Sequence, residues 1–226
     1  VQRVREALVD QESAPARRLV ERVDRFLPLV DRAIAQATRR VLDGETVPAG
    51  EKLLSLFEPH TRLITRHKAG KPVEFGCKLM LDEVDGGIVS RYDVVGEAGL
   101  DHPHLKESLA GHRVRFGRAP DLLAGDRGLY TAANENLARQ VGVKRVVLPQ
   151  AGRPSRQRQE HERQPWFRRG FRFRAGIEGR ISVLKRGYEL GRCRDHGEEG
   201  LGRWVGWGIV TANLATVARA IAARPT

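Results

Sequence analysis

Two acidic residues stand where a carboxylate could do chemistry. Asp126 lies in DLLAGDRG, directly after the short apolar run Asp121 to Ala124 and between glycines at 125 and 128. A strand ending there presents the carboxylate at its carboxyl end, where ligands of α/β sheets usually bind. Glu178 follows after 51 intervening residues, in GFRFRAGIEGRISVLKR, Gly170 to Arg186. Phe173, Ile177, Ile181 and Leu184 recur there at helical spacing, which places Glu178 on a helix beside an apolar stripe. An acid in that position is costly unless it is ion-paired or holds a cation. Each residue also has a plainer reading: Asp126 as a turn residue capping the next helix, and Glu178 as the ion-pair partner of Arg174 one turn earlier.

Other residues invite a site and are better explained without one. His60, His67, His102, His104, His161 and His196 form no HxxxH or Cys/His zinc spacing, so they read as loop or structural histidines. Trp166 and Phe167, set among arginines, could stack on an exposed base, but such aromatics are more often core. Trp204 and Trp207 read as core residues of an apolar helix.

The elements that must position the two acids can be read from periodicity. Val4, Leu8, Leu19, Val23, Leu27, Val30, Ile34 and Val41 imply a pair of amphipathic helices, with Pro15 opening the second and Pro28 a possible kink. Lys71 to Leu81 and Ile88 to Val95 are β-rich runs about a Gly-Gly turn, the pattern of an antiparallel hairpin. Leu105 to Phe116 reads as a helix, Asp121 to Ala124 as a strand, Thr131 to Val141 as a helix with Thr131 near its cap, and Lys144 to Leu148 as a strand stopped by Pro149. Glycines 176 and 179 weaken the Glu178 helix by roughly 1 kcal/mol each relative to Ala. A Trp-containing helix, Leu201 to Ile221, packs across the sheet in this reading. The order of elements is that of an α/β protein.

Composition narrows the partner. The 226 residues carry 40 Lys and Arg against 28 Asp and Glu, a formal charge of +12, which is the electrostatic footprint of a polyanion binder. From Ala151 to Arg194 the imbalance sharpens, with thirteen Arg or Lys against four Glu. No apolar run approaches the ~18 to 20 residues of a spanning helix, and the first residues lack a signal peptide's apolar core. Cys77 and Cys193 read as reduced thiols of a cytoplasmic protein, with no membrane partner. Met80 is the only methionine.

Phe171, Arg174, Glu178 and Lys185 fall in the order aromatic-x2-Arg-x3-Glu-x6-Lys. This order resembles the Y-x2-R-x3-E-x6-K signature around the last catalytic glutamate of bacterial insertion-sequence DDE transposases, with Phe171 keeping the tyrosine's ring and losing its hydroxyl. GDRGLYTAANE, which carries Asp126 and ends at Glu135, resembles the second-aspartate segment of those enzymes. KAGKPVEFGCK (Lys68 to Lys78), HERQPWFRRG and RWVGWG resemble the ISNCY group, and the likeness runs from about Glu51 to the end.

The resemblance implies an RNase H-like α/β fold, a mixed sheet flanked by helices. It implies a helical segment at 1–48, a partial catalytic domain at 49–194 and a helix packed on it at 195–226. Asp126 and Glu178 would be catalytic and would bind Mg2+ or Mn2+, whose hardness suits carboxylate oxygens. Arg174, Lys185, Arg127, Arg168 and Arg169 would contact DNA phosphates. The partners would be element ends and target DNA, with a homo-oligomer assembling on DNA in the full-length form.

Such a site needs a first aspartate on a strand preceding the hairpin, and Val1 to Leu42 resembles the helical stretch that follows it. The first aspartate is therefore expected upstream of Val1, ahead of two internal substitutes, Asp82 in LDEVDGG and Glu58 in LFEPHTR. Three functions follow: a transposase whose full-length form cuts and joins DNA, a truncated DNA-binding remnant or inhibitor, and a basic RNA-binding protein.

Overall fold

The structure is a computed structural model that describes Arg3, Glu6, Ala7 and residues 13–68, 70–95 and 101–224. The helix expected around Val4 and Leu8 falls outside the described residues. The chain divides into two compact units, Val1–Lys78 with Val95–Ala98, and Leu79–Val94 with Gly99–Thr226.

In the first unit, helix α1 spans Ala14–Val41. Ser13 caps it, its Oγ accepting the Ala16 N–H at 3.3 Å, and a proline stands in the first turn, where a missing N–H costs nothing. The helix continues through Pro28. Its polar face holds the segment that follows: Gln36 Oε1 accepts the Leu53 N–H at 2.7 Å, and Arg39 pairs with Glu45 at 2.8 Å and Glu51 at 2.9 Å. Phe26 meets Phe57 edge to face at 5.6 Å. Strands β1 (Arg62–Lys68) and β2 (Lys71–Gly76) then pair antiparallel, with Leu63 opposite Phe75 and Ile64 opposite Glu74.

Lys71 to Leu81 is thus two strands where the sequence reading has one. Gly76, at φ 147, separates β2 from β3 (Lys78–Val84). β3 pairs with β4 (Ile88–Val95) in the second sheet. Gly86 and Gly87 hold φ 83 and 75 in the turn between them, and the Gly87 N–H closes it onto the Val84 carbonyl at 3.2 Å. So short a connection joins antiparallel strands only.

The rest of the second unit is built on that hairpin and on a β-helix-β turn of chain. Helix α2 (Leu105–Phe116) stops at Gly117, whose φ of 71 is the left-handed value that ends helices. Strand β5 (Leu122–Ala124) runs parallel to β6 (Arg145–Val147), and helix α3 (Ala132–Gln140) crosses between them. Thr131 caps α3, its Oγ1 accepting the Asn134 N–H at 3.0 Å. Leu105, Leu109, Ala138, Val143, Val146 and Leu148 form the core beneath. Helices α4 (Arg156–Arg163), α5 (Pro165–Gly187) and α6 (Gly197–Ala222) complete the unit.

α5 reaches both strand pairs. Gly170 lies on Val147 and Leu122, and Leu184 packs with Val89, Val205 and Ile209 in a second core. Ten positions separate Gly170 from Arg180, which meets Glu83 of β3 at 3.4 Å. At 1.5 Å per residue, ~15 Å of helix separates the two contacts. Where one mixed sheet was expected, the described residues hold three two-stranded sheets. The outer edge of β4 meets a side chain instead of a strand: Asn213 accepts the Val89 N–H and donates to the Val89 carbonyl, both at 2.9 Å.

The close approach at Gly170 gives a paired stability prediction. A Cβ there would lie 2.6 Å from Val147 Cγ2, whereas one at Gly179 would meet nothing within 4 Å. Overpacking costs about 1–3 kcal/mol, and relief of a helical glycine returns about 1 kcal/mol. Gly170→Ala should lower the urea midpoint and Gly179→Ala should raise it; equal shifts would mean that α5 does not seat on β5 and β6.

α6 departs from expectation twice. It is long and apolar enough to cross a membrane by length and composition, although no single run of the sequence suggested it. Only its Val205, Ile209 and Ala212 face is core: Trp207 is 71% exposed, and Trp204 is half-buried with its Nε1–H donated to the Glu189 carbonyl at 3.3 Å. The indoles point away from the core stripe because α6 is apolar on two faces, and the hairpin covers one of them.

Candidate active site

Asp126 follows β5 directly, and the local sequence forces its position. Gly125 is buried, and a Cβ on it would lie 2.7 Å from both Leu129 and Leu148, so the chain turns tightly as it leaves the strand. Asp126 caps the 3-10 turn Arg127–Leu129, its Oδ1 accepting the Arg127 N–H at 2.6 Å. The cap of α3 is Thr131, so the capping role expected of Asp126 falls on this short turn instead.

Glu178 comes from the middle of α5. Phe171, Arg174, Glu178 and Lys185 are three, seven and fourteen positions apart along one helical stripe. The apolar stripe expected beside Glu178 is largely in solvent: Phe173 and Ile181 are 52% and 37% exposed, and of the expected set only Leu184 is buried. The packed face of α5 is Phe167, Gly170 and Leu184. Glu178 therefore sits on an open face.

One guanidinium joins the two acids. Arg174 Nη2 lies 2.8 Å from Glu178 Oε1 and 3.6 Å from Asp126 Oδ1. Both contacts are to the same nitrogen, so the carboxylate oxygens are separated by no more than the sum of the two distances. That is well inside the ~10 Å beyond which two acids could not share a pair of ions ~3.5 to 4 Å apart. The Arg174–Glu178 ion pair of the plainer reading is present, and it is part of this wider contact. Arg174 itself is 15% exposed, with Phe171 beneath its guanidinium at 5.5 Å. It is a bridge between carboxylates here, and not a free phosphate contact.

The substitutes for a first aspartate have partners of their own. Asp82 is held in the hairpin by Arg91 at 3.6 Å, and Arg91 also pairs with Asp93 and with Glu107. Glu58 belongs to the other unit, 3.5 Å from His60. Among the described residues no group of three or more His, Cys, Asp or Glu is placed to hold a metal ion. Two carboxylates with open surroundings nevertheless suit one hard cation, because Mg2+ is usually held by one or two carboxylates with water and phosphate completing its shell.

Beside Asp126 opens a cavity of about 540 Å3 whose walls include Arg127, Arg168 and Arg169. Arg163 and Arg172 also line it, and sequence reasoning had not singled them out. The spacing of Arg168 and Arg172, one turn apart on α5, was the available signal. Lys185 is exposed farther along the Glu178 stripe. Phe167 is 2% exposed and belongs to the core, with Trp166 half-buried against it at 5.6 Å.

Behind the cavity lies a buried charge network that the sequence did not announce. Glu135 of α3 receives Arg158 at 2.7 Å and Arg139 at 2.6 Å; Arg158 also holds Glu162 at 2.8 Å and lies 4.5 Å from the Tyr130 ring. Burial works against the Arg158 charge, but Glu162 and Glu135 outweigh it and hold its pKa above the ordinary value. This network ties α3 to α4.

Comparison with protein-family models, with curated proteins and with solved structures returns no match.

Proposed function

We propose that this chain is the catalytic part of an insertion-sequence DDE transposase of the ISNCY-like group, working on DNA in the cytoplasm with Mg2+ or Mn2+. The observation that carries the reading is the Arg174 bridge, which brings Asp126 and Glu178 together across 51 residues. In this reading the fold is RNase H-like, and the space that α5 spans between the hairpin and β5 belongs to a further strand bearing the first aspartate.

The division of labour follows from the residues. Asp126 and Glu178 would hold the metal, which when bound supplies Lewis-acid activation of the scissile phosphate. Arg174 neutralises the two carboxylates; with a cation held between them, its guanidinium would be free to contact a phosphate oxygen. Arg127, Arg168, Arg169 and Lys185 fix the DNA backbone and carry charge more than sequence readout. A second reading, a DNA-binding remnant that inhibits an intact relative, is favoured by the two-acid site. The RNA-binding reading gives no reason for the two acids to converge.

Metal binding tests the core of this reading. Calorimetric titration with Mn2+ should show binding by the chain, and Asp126→Asn or Glu178→Gln should each weaken it at least about tenfold, the loss typical when a metal site's supporting groups are removed. Exposed Glu198→Gln should leave it unchanged. Equal binding by all four proteins would remove the site.

DNA binding should also be salt-sensitive and weakly sequence-selective, through Arg153 to Arg194. Log affinity should fall with log salt by roughly 0.9 per neutralised duplex phosphate. A flat salt titration would end the electrostatic argument.

A further inference from the structure

We propose that the solvent-facing stripe of α6 docks a second copy of this chain, whose own α6 lies antiparallel along the first; the inference stands on α6 and does not rest on the transposase reading. Trp207, Val210, Leu214, Val217 and Ile221 are large apolar residues left in water, Trp207 by 71%, Leu214 by 65% and Ile221 by 61%. Their spacings are three, four, three and four. A narrow stripe of that 3.5-residue period is the seam of two helices wound about each other, so the pattern itself asks for a helix as partner. The fold makes no use of it, because α6 enters the core through Val205, Ile209 and Ala212 on its other face.

Charge selects the helix and its direction. At a formal charge of +12, two copies repel one another over most of their surfaces. The stripe escapes this, since the fifteen residues from Trp204 to Ala218 carry no formal charge. Charges gather at the two ends of α6: Glu198 and Glu199 in its first turn, Arg219 in its last turn and Arg224 just beyond. Antiparallel pairing sets the acidic end of each helix beside the basic end of the other and opposes the two macrodipoles. Parallel pairing would bring acid to acid, and Arg203, four positions before Trp207 on the same stripe, to its own copy.

Side-chain size selects the register. With Val210 opposite the partner's Leu214, Trp207 falls opposite the partner's Val217 and Arg203 opposite the partner's Ile221. A larger side chain then meets a smaller one at successive levels, and the apolar stem of Arg203 covers an isoleucine while its charge stays in water. The contact is self-complementary, as a twofold pair requires. Over ~21 Å of helix, the stripe exposes roughly 500 Å2 of apolar side chain, so that a pair buries roughly 1,000 Å2, the size at which specific interfaces begin.

Sedimentation without DNA or metal tests this, and its outcome is independent of the catalytic reading. At micromolar concentration the chain should approach twice its 25.3 kDa mass and return to that mass on dilution. Leu214→Lys and Val210→Glu should each weaken self-association at least about tenfold, because both positions lie at the centre of the contact. Both side chains are exposed, so the two variants should keep the urea midpoint of the dilute wild-type chain. Mixed together, the variants should pair again: the introduced carboxylate faces the introduced ammonium in the antiparallel register and would face an apolar side chain in a parallel one. Val114→Lys, at an exposed apolar position on α2, should leave the dimer intact. A wild-type chain that stays monomeric overturns the proposal, and depletion of that monomer by phosphatidylcholine vesicles, prevented by Leu214→Lys, would assign the stripe to lipid instead. A dimer that both variants retain lies on another surface and overturns it too. Monomeric variants that fail to pair when mixed overturn the antiparallel register.

Discussion

Nicking and joining of a supercoiled plasmid should fall below detection for this 226-residue chain in Mg2+ or Mn2+, and should appear in a longer form that supplies one more strand with an aspartate. In-line displacement at phosphorus depends on two ions clamping the attacking and leaving oxygens. Asp126 and Glu178 provide two carboxylates, and among the described residues no third His, Cys, Asp or Glu joins them. A misplacement of ~1 Å already costs about a hundredfold in rate, and loss of a metal-completing ligand should cost more. Glu178→Gln in the longer form should return activity to background. Activity in the unextended chain that Glu178→Gln abolishes would overturn this expectation and return Asp82 or Glu58 to consideration as the third ligand.

Glu135→Ala should be among the most damaging single changes to folding, although it lies outside the proposed chemistry. The Glu135 carboxylate is 8% exposed and the Arg158 side chain 11%, at 2.7 Å. Removing Glu135 leaves Arg158 with Glu162 as its one carboxylate partner, at a cost approaching the about 3–5 kcal/mol of breaking a buried pair, against a total stability of about 5–15 kcal/mol for a domain. Urea denaturation should show a much lower midpoint with an unchanged slope. Glu160→Ala, which removes an exposed partner of Arg156, should shift it by less than about 0.5 kcal/mol. Similar midpoints for the two variants would mean that water reaches the Glu135 pair.

Much of the second unit could be read from one-dimensional signals. Thr131 three positions before Asn134, Gly86 and Gly87 between β-rich runs, and Pro149 after an apolar triplet each act through local backbone chemistry, which sequence displays. What escaped was set by tertiary contact. Strand β1 was missed because Leu63, Ile64 and Thr65 alternate too briefly to stand out, and its pairing with β2 is what defines it. α5 keeps glycines 176 and 179 in its interior because packing at Phe167, Gly170 and Leu184 overrides their propensity. The same packing turns Phe173 and Ile181 outward, although their spacing suggested a core face.

The candidate site shows the same division. The positions of Asp126 at a strand end and Glu178 on a helix were legible, since each depends on a few neighbours. The Arg174 bridge was half legible: spacing gave its contact with Glu178, but nothing in the chain announced Asp126 as its second partner. The five-arginine cavity was visible only as an excess of charge, because its concavity comes from α4 and α5 meeting around Pro165.

The double hydrogen bond from Asn213 to Val89 fixes how this hairpin can grow. An exposed strand edge is a template that recruits further strands, and a filament requires one such edge on each side. Asn213 terminates the β4 side by offering an amide where a neighbouring backbone would offer a peptide. At Val89, therefore, no further strand can pair with β4 while Asn213 is in place. A single asparagine on α6 thus stands in for a neighbouring strand at this point of the edge.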